Sequence, residues 1–171
     1  MTAFDMHRDL DRTDWAILAE LQRDARLSYL ALGKLIGLSG PATAERVRRL
    51  EAAGIIGGYR AVVDRARVGY SVTAFVRMTC FGGRCIRIAY TPELFPEVIE
   101  LHRVNGEDCS LLKVAVASIA HLEDLIDRLA RYGHPATTLV LSTVTEHLPV
   151  PPLDAVSQRE SGSAPTPAPP P

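Results

Sequence analysis

No stretch of this sequence approaches the roughly 18 consecutive apolar residues that a membrane-spanning helix needs. The opening residues, MTAFDMHRDLDR, are charged and lack the apolar run of an export signal. Cysteine is scarce: Cys80, Cys85 and Cys109 are an odd number at irregular spacings, which does not suit a disulfide framework. These absences predict a soluble cytoplasmic protein with reduced thiols and no membrane partner.

Recognised catalytic and cofactor motifs are missing too. The two Gly-Gly pairs are typical of turns, and no G-x-G-x-x-G or phosphate loop is present. The histidines are scattered, without a Ser-His-Asp or Cys-His pattern. The three cysteines with His102 have no C-x-x-C pair or recognised zinc spacing. We therefore predict no catalytic residue, no cofactor and no metal site.

The chain has almost no net charge, with 19 Lys and Arg against 20 Asp and Glu, which argues against a protein that coats nucleic acid through bulk charge. The distribution is uneven. Residues 1–67 hold 11 basic and 9 acidic residues, whereas residues 68–171 hold 8 and 11. This asymmetry fits a local DNA contact joined to a domain with another task.

Two changes in composition divide the chain. Eight of the 12 prolines fall between Pro149 and Pro171, in a segment too poor in large apolar residues to offset the entropy of ordering. The basic stretch DRARVG, 64–69, separates two apolar patterns of different period. We predict a DNA-binding domain over 1–63, a hinge over 64–69, a second domain over 70–148 and a disordered tail over 149–171. A docking role for PTPAPPP is the alternative for the tail.

The N-terminal domain reads as three helices. Trp15, Leu18 and Leu21, with Ile17 on the flank, predict an amphipathic first helix. A second helix begins after a Ser28 cap, presents Leu32, Leu35 and Ile36, and ends at Gly37 in a left-handed conformation. Ser39 then starts a third helix, with Pro41 in its first turn. Two helices joined by such a tight turn are typical of a helix-turn-helix DNA reader.

The third helix carries the candidate DNA contacts. Val47 and Leu50 face the core, which leaves the polar side chains outside. Arg46 and Arg49, with Ser39 and Thr43 near the helix start, are predicted to contact base edges or phosphates, because Arg matches guanine in a bidentate geometry. The alternative is a solvated face on which Glu45 pairs with a following arginine. The predicted DNA-binding residues are Ser39, Thr43, Arg46, Arg48, Arg49 and, in a following strand or wing, Arg60.

The run from residue 10 to residue 69 closely resembles the leucine-responsive / asparagine-regulator (Lrp/AsnC) family of transcription regulators. The segments that carry this resemblance are LDRTDWAILAELQRDAR, LGKLIGLS, AERVRRLEAAGIIGGYRAVVD and VGYSVTAFV, in family order and at family spacing. The resemblance extends to about residue 147. It implies a winged helix-turn-helix domain followed by an effector-binding domain.

The second domain reads as βαββαβ. VGYSVTAFVRMTC, EVIELHRV, CSLLKVAVA and ATTLVLSTVTEHL are predicted strands, with helices over CIRIAYTPEL and IAHLEDLIDRLARYG. This order predicts an α+β, ferredoxin-like fold with one sheet face uncovered by helices. We predict dimerisation through that face, because it would otherwise expose apolar strand residues, namely Val72, Ala74, Val76, Val114, Val116 and Val140.

The segment HRVNGEDCSLLKV resembles the signature of the family's effector-binding domain. The resemblance implies that an amino acid or related metabolite binds between dimers of a higher assembly, a tetramer or octamer. The residues it points to are Asn105, Gly106, Glu107, Asp108, Cys109, Thr138 and Val140. Asn105 and Cys109 depart from the family pattern, which has threonine and an acid there, so the identity of the ligand does not transfer.

We therefore predict a sequence-specific transcriptional regulator that binds double-stranded DNA as a homodimer or higher oligomer under the control of a small amino-acid-like metabolite. One alternative is an architectural DNA-binding protein without an effector. A second is an enzyme like the sirohaem decarboxylases, which resemble this two-domain plan but have no use for an exposed row of arginines.

Overall fold

The computed structural model describes residues 10–80, 83 and 85–152. The chain forms two compact units, Met1–Ala61 with Thr145–Pro171 and Val62–Val144. Residues 145–148, expected in the second domain, thus group with the first. None of the described helices is long and apolar enough to cross a membrane. The predicted disorder of the tail lies mostly outside the described residues, but the backbone N–H of Val150 donates to the Gln22 side chain over 2.8 Å.

The first unit contains the three expected helices, α1 (Arg12–Arg23), α2 (Tyr29–Ile36) and α3 (Gly40–Ala52). Ser28 and Ser39 cap α2 and α3 as predicted, each accepting a backbone N–H with its hydroxyl. Ile17, expected only on the flank of the apolar face, lies at its centre and is fully buried. Leu35, predicted on the apolar face of α2 with Leu32 and Ile36, is 60% exposed, because it projects to one side of the stripe that begins at Leu32.

The segment after α3 differs from the expected wing. The backbone N–H groups of Ile55 and Ile56 donate to the Leu50 carbonyl, which turns the chain back towards the core. Residues 57–64 contain no helix or strand, so no paired wing forms there. Tyr59 is instead held by its hydroxyl, which donates to Glu51 over 2.8 Å. Burial, followed by this carboxylate, raises the pKa of Tyr59 to about 12.

The second unit has the predicted βαββαβ order. Its elements are β1 (Val72–Cys80), α4 (Ile86–Ala89), β2 (Val98–Arg103), β3 (Ser110–Val116), α5 (Ile119–Leu129) and β4 (Gly133–Leu139). Short 3₁₀ turns precede β1 and β4, at Ala66–Val68 and Ala130–Tyr132. The sheet order is β2-β3-β1-β4, and all its pairs are antiparallel. The ferredoxin-like prediction is confirmed.

Five of the six apolar strand residues expected on an uncovered face lie on the covered one, and the sixth, Val140, lies just beyond the end of β4. Ala74, Val76, Val114 and Val116 are fully buried in one cluster with helix residues such as Leu125. Val72 packs against the same cluster. The prediction that these residues need a second subunit to cover them is therefore wrong for these five, because helices of the same chain already bury them. The opposite face is mixed: it carries Phe75, which is 37% exposed, next to polar side chains.

Candidate nucleic-acid interface and effector turn

The turn between α2 and α3 has the geometry of a helix-turn-helix. Gly37 ends α2 with φ +76°, a conformation that an L side chain rarely adopts. The Leu38 N–H donates to the Gly33 carbonyl over 2.8 Å. Gly33 is also where the two helices approach, since a Cβ there would lie 2.6 Å from the Leu38 carbonyl oxygen and 2.8 Å from Thr43 Oγ1. The prediction of a tight turn is confirmed.

Thr43 cannot contact DNA as predicted. It is fully buried, and its hydroxyl donates to the Ser39 carbonyl over 2.9 Å. The reason is helical spacing: Thr43, Val47 and Leu50 are four and three residues apart and form one core-facing stripe. Ser39, by contrast, is exposed.

Arg46 and Arg49, predicted to reach base edges, hold a carboxylate on α1. Asp14 is 1% exposed and accepts from Arg46 over 2.8 Å and from Arg49 over 3.0 Å. Arg46 also pairs with Asp11 over 2.7 Å. Neither aspartate was predicted from the sequence, because their partners on α3 lie 32 to 35 positions away along the chain.

These ion pairs shift the pKa values of Asp11 and Arg46. The backbone N–H of Asp14 and then the Arg46 side chain lower the pKa of Asp11. Hydrogen bonds to Asp11 and then Asp14 raise the pKa of Arg46, so its guanidinium remains charged. The arginine row therefore contributes fixed positive charge, part of which is neutralised by α1.

The solvent-facing side of α3 is a separate surface. The Arg48 and Glu45 side chains are 65% and 76% exposed and pair over 2.8 Å. Such an exposed pair is weak, so Arg48 can exchange it for a phosphate or a base edge at little cost. The side chain of Arg49 is 59% exposed despite its contact with Asp14. Arg60 lies in the segment of residues 57–64, which has no helix or strand, and is exposed.

The turn of residues 105–109 connects β2 to β3. Gly106 adopts φ +104°, and Asn105 and Glu107 are exposed on either side of it. The turn is anchored to the end of β1: Thr79 Oγ1 donates to Asp108 over 3.2 Å, and the Cys109 N–H donates to the Met78 carbonyl over 2.8 Å. Exposed backbone and carboxylate groups of this kind can bind the ammonium and carboxylate of an amino acid.

The other predicted effector residues are not next to this turn. Thr138 pairs with Phe75 in the register of β1 and β4, and the Val140 N–H donates to the Thr73 carbonyl over 3.0 Å. The turn contacts β1 at Met78 and Thr79. Phe75 and Thr79 are four residues apart, a distance of about 13 Å along a strand. One subunit therefore does not bring the two sets into a single small pocket.

The fold brings the three cysteines together, although their spacing in the sequence matches no recognised zinc motif. Their sulfur atoms all lie within 4.8 Å of one another. Cys80 Sγ contacts both Cys85 Sγ and Cys109 Sγ, and the last two sulfurs are 3.7 Å apart. His102, weighed with them in the sequence, pairs with Glu100 instead. Thiols so arranged can hold a thiophilic metal ion.

Both parts of the chain match known protein families. Residues 10–51 match the AsnC-type helix-turn-helix domain, and residues 73–150 match the Lrp/AsnC ligand binding domain. The chain is also 42% identical over 138 residues to the uncharacterized HTH-type transcriptional regulator YezC of Bacillus subtilis, an alignment that covers 81% of this chain and 98% of YezC.

Solved structures show the same similarity. The structure of Bacillus subtilis LrpC has a TM-score of 0.76 at 34% identity, covering 80% of this chain and 98% of LrpC. The complex of the Neisseria meningitidis transcriptional regulator NMB0573 with L-methionine has a TM-score of 0.78 at 25% identity, covering 85% of this chain and 99% of that one.

Proposed function

We propose that this chain, which belongs to the Lrp/AsnC family of transcriptional regulators, binds double-stranded DNA through α3. We also propose that an amino-acid effector controls this binding. The observation that carries the DNA-binding part is the exposed arginine surface of α3 on a complete helix-turn-helix. The relatives are named as transcriptional regulators, and we propose no catalytic activity.

Exposure decides which side chains reach DNA in this proposal. Arg48 is the principal contact, because only an exposed, weak pair with Glu45 restrains it. Three other side chains reach phosphates: Ser39 from the start of α3, Arg49 from the same helix and Arg60 from the segment that follows it. Arg46 serves as a positioning residue, since two aspartates of α1 hold its side chain at 29% exposure.

Measuring DNA affinity for single arginine variants tests this assignment. Operator fragments selected from a random pool by the wild-type protein are titrated in gel-shift assays at fixed salt. Arg48→Ala is expected to weaken binding by about 1–3 kcal/mol, the cost of one bidentate base contact. Arg23→Ala is the matched control, because Arg23 is as exposed as Arg48 and likewise pairs with a carboxylate three residues earlier, Glu20 over 2.8 Å, on α1. Equal affinity of Arg48→Ala and wild type contradicts the role of Arg48.

The effector part of the proposal rests on the 105–109 turn and on the L-methionine complex of a structural relative. A thermal-shift panel of amino acids tests it, because a ligand that binds only the folded state raises the apparent stability. Asn105→Ala is expected to reduce the shift without lowering the melting temperature of the free protein, since Asn105 is exposed. A protein that binds DNA in long, weakly selective footprints and responds to no amino acid is architectural instead.

We also propose that the working unit is a homodimer or a higher assembly of dimers. A single recognition helix offers few side chains to DNA, and paired helices read half-sites about 34–36 Å apart. The sheet face without helices is the proposed contact, because Phe75 is exposed there within a row that includes Thr138 and Lys113.

A further inference from the structure

The three cysteines come from three different elements at one end of the sheet. Cys80 is the last residue of β1, Cys85 is the N-cap of α4 and Cys109 immediately precedes β3. Cys109 is part buried and Cys85 is 5% exposed. Their convergence results from strand pairing, because the Cys109 N–H donates to the carbonyl of Met78, two residues before Cys80.

A disulfide uses only two of these sulfurs. Cys80 contacts both of the others, and because one sulfur forms one such bond, either pairing leaves a third thiol beside it. A metal ion uses all three. Zinc–thiolate bonds of about 2.3 Å place tetrahedral sulfur ligands about 3.8 Å apart. The 3.7 Å between Cys85 and Cys109 matches that spacing. A small movement of the Cys80 side chain then completes the site.

We propose that Cys80, Cys85 and Cys109 form a site for one thiophilic divalent cation such as Zn²⁺. Three protein ligands leave a fourth, tetrahedral position for a solvent molecule. Each thiol releases its proton on binding, because the thiolate is the ligand. This site does not depend on the proposed DNA-binding function, because none of the proposed DNA-binding residues contributes to it.

The charge around the three cysteines favours a divalent cation bound by thiolates. One divalent cation with three thiolates has a net charge of −1, and Arg87 is placed to offset it. Arg87 Nε donates to Cys85 Sγ over 3.4 Å. A guanidinium beside a sulfur favours the thiolate over the thiol, and donors to ligating sulfurs tune metal sites. The frame is also firm, because β4 approaches β1 so closely that a Cβ on Gly133 would lie 2.3 Å from the Thr79 carbonyl oxygen.

Cobalt and zinc binding to the full chain test the proposal. The purified protein is reduced with a phosphine, stripped with a chelator and titrated anaerobically with Co²⁺, whose thiolate complexes give a sulfur-to-cobalt charge-transfer band. We expect saturation at one Co²⁺ per chain and displacement by Zn²⁺. Cys85→Ser and Cys109→Ser are expected to lose the band. His102→Ala is the matched control and is expected to retain it, because His102 pairs with Glu100 away from the cluster.

Counting the reactive thiols of the wild-type protein tests the proposal even if a cysteine variant fails to fold. In the wild-type protein, stoichiometric Zn²⁺ is expected to protect all three cysteines from alkylation, with the modified residues counted by mass spectrometry. Three reactive thiols with no bound metal overturn the proposal. One reactive thiol in the isolated protein, with no metal uptake after reduction, also overturns it and assigns the cluster to a disulfide. Metal uptake that persists in both serine variants places the ion elsewhere and overturns it as well.

Discussion

At the scale of single residues, Asp14 determines what the arginines of α3 can do. Its carboxylate is buried, belongs to a capping box with Asp11 and accepts from Arg46 and Arg49. A buried carboxylate needs such donors, since an unpaired charge in the protein interior is costly. The same contacts join α1 to the recognition helix and limit the movement of two arginines. Asp14 is therefore a structural partner of the proposed DNA-binding surface.

Replacing Asp14 by alanine is expected to lower the free energy of unfolding by about 2 kcal/mol. This is less than the about 3–5 kcal/mol for breaking a fully buried pair, because Arg49 remains largely in water and its contact is screened. Urea denaturation followed by circular dichroism measures the loss. Glu45→Ala, which removes the exposed partner of Arg48, serves as the control and should cost at most about 0.5 kcal/mol. Equal losses in the two variants contradict a special role for Asp14.

The residues of α3 show what could be predicted from sequence at this scale. The positions of Val47 and Leu50 on the core face follow from helical period, and both are buried as predicted. Thr43 lies on the same stripe, but its polarity led to the wrong assignment. The contacts of Asp14 with Arg46 and Arg49 join residues 32 and 35 positions apart. Such pairs depend on the packing of α1 against α3, which local patterns do not specify.

At the scale of elements, Gly33 controls how closely α2 and α3 pack. It is buried in α2, and its backbone faces the Leu38 carbonyl and the Thr43 hydroxyl with no room for a Cβ. The backbone oxygen cannot rotate away, so any added methyl must separate the two helices. The angle between the supporting helix and the recognition helix thus depends on this glycine.

Gly33→Ala is expected to destabilise the protein by about 1–3 kcal/mol, the usual cost of overpacking, and to weaken DNA binding as α3 is displaced. Differential scanning calorimetry and the gel-shift assay measure the two effects. Gly57→Ala is the control, since a Cβ at Gly57 meets nothing within 4 Å and its φ is ordinary. A stable Gly33→Ala protein with normal affinity would show that the turn adjusts without cost.

In the second unit, Glu97 connects the segment before β2 to α5. It is 5% exposed, accepts from His121 over 3.0 Å and pairs with Arg128. Burial acts to raise the pKa of Glu97, but its backbone N–H, His121 and Arg128 together lower it below the ordinary value. Because the folded-state pKa is lowered, the ion pair contributes stability above about pH 4.5 and loses it as pH falls through the lowered pKa.

Glu97→Gln is expected to remove this pH dependence. The variant should be less stable than wild type at pH 7, because Arg128 loses its buried carboxylate partner and keeps only the exposed Asp124, and the difference should shrink as pH falls below about 4.5. Urea denaturation from pH 7 to pH 3 measures it. Glu100→Gln is the comparison, since its pairs with His102 and Lys113 are more exposed and should contribute less. A difference that stays constant with pH would assign the effect of Glu97 to packing.

The bounds of the elements were less predictable than their order. α4 is a single turn, Ile86–Ala89, where the sequence suggested a helix over 85–94, because Tyr90 already takes an extended conformation. β4 covers Gly133–Leu139 and stops before most of the predicted strand over 136–148. Its length is set by its partner β1 rather than by its own apolar pattern, since pairing with β1 runs only from Ala74 to Cys80.

At the scale of the whole molecule, the two predicted halves of the effector site are on different parts of one sheet. The family resemblance supplied the residues, but only strand register shows how far apart they are. The turn contacts β1 at Thr79, whereas Val140 contacts it at Thr73, six residues or about 20 Å away. A single amino acid is shorter than that span. We therefore expect an effector that contacts both halves to bind between subunits.

Mixed oligomers can test whether two subunits share the effector site. Asp108→Ala impairs the turn, and Thr138→Ala removes the hydroxyl at the exposed strand position without adding bulk to the proposed subunit contact; each variant alone is expected to bind no effector. If each site takes the turn from one subunit and the strand from another, random mixing of the two variants restores about one quarter of the sites. The restored sites pair an intact turn from one variant with an intact strand from the other. Calorimetric titration of the co-refolded mixture, with the amino acid that gives the largest thermal shift, counts them.

Two controls make this count interpretable. A mixture of each variant with itself gives the background, and light scattering confirms that the mixed sample has the same mass as the wild-type assembly. Binding restored above background is possible only if different chains contribute to one site. A mixed sample that forms full-sized oligomers but binds no effector would contradict a site shared between subunits. Effector binding by the Thr138→Ala variant alone would instead exclude the Thr138 side chain from the site, because an effector held only by the 105–109 turn does not reach that strand position.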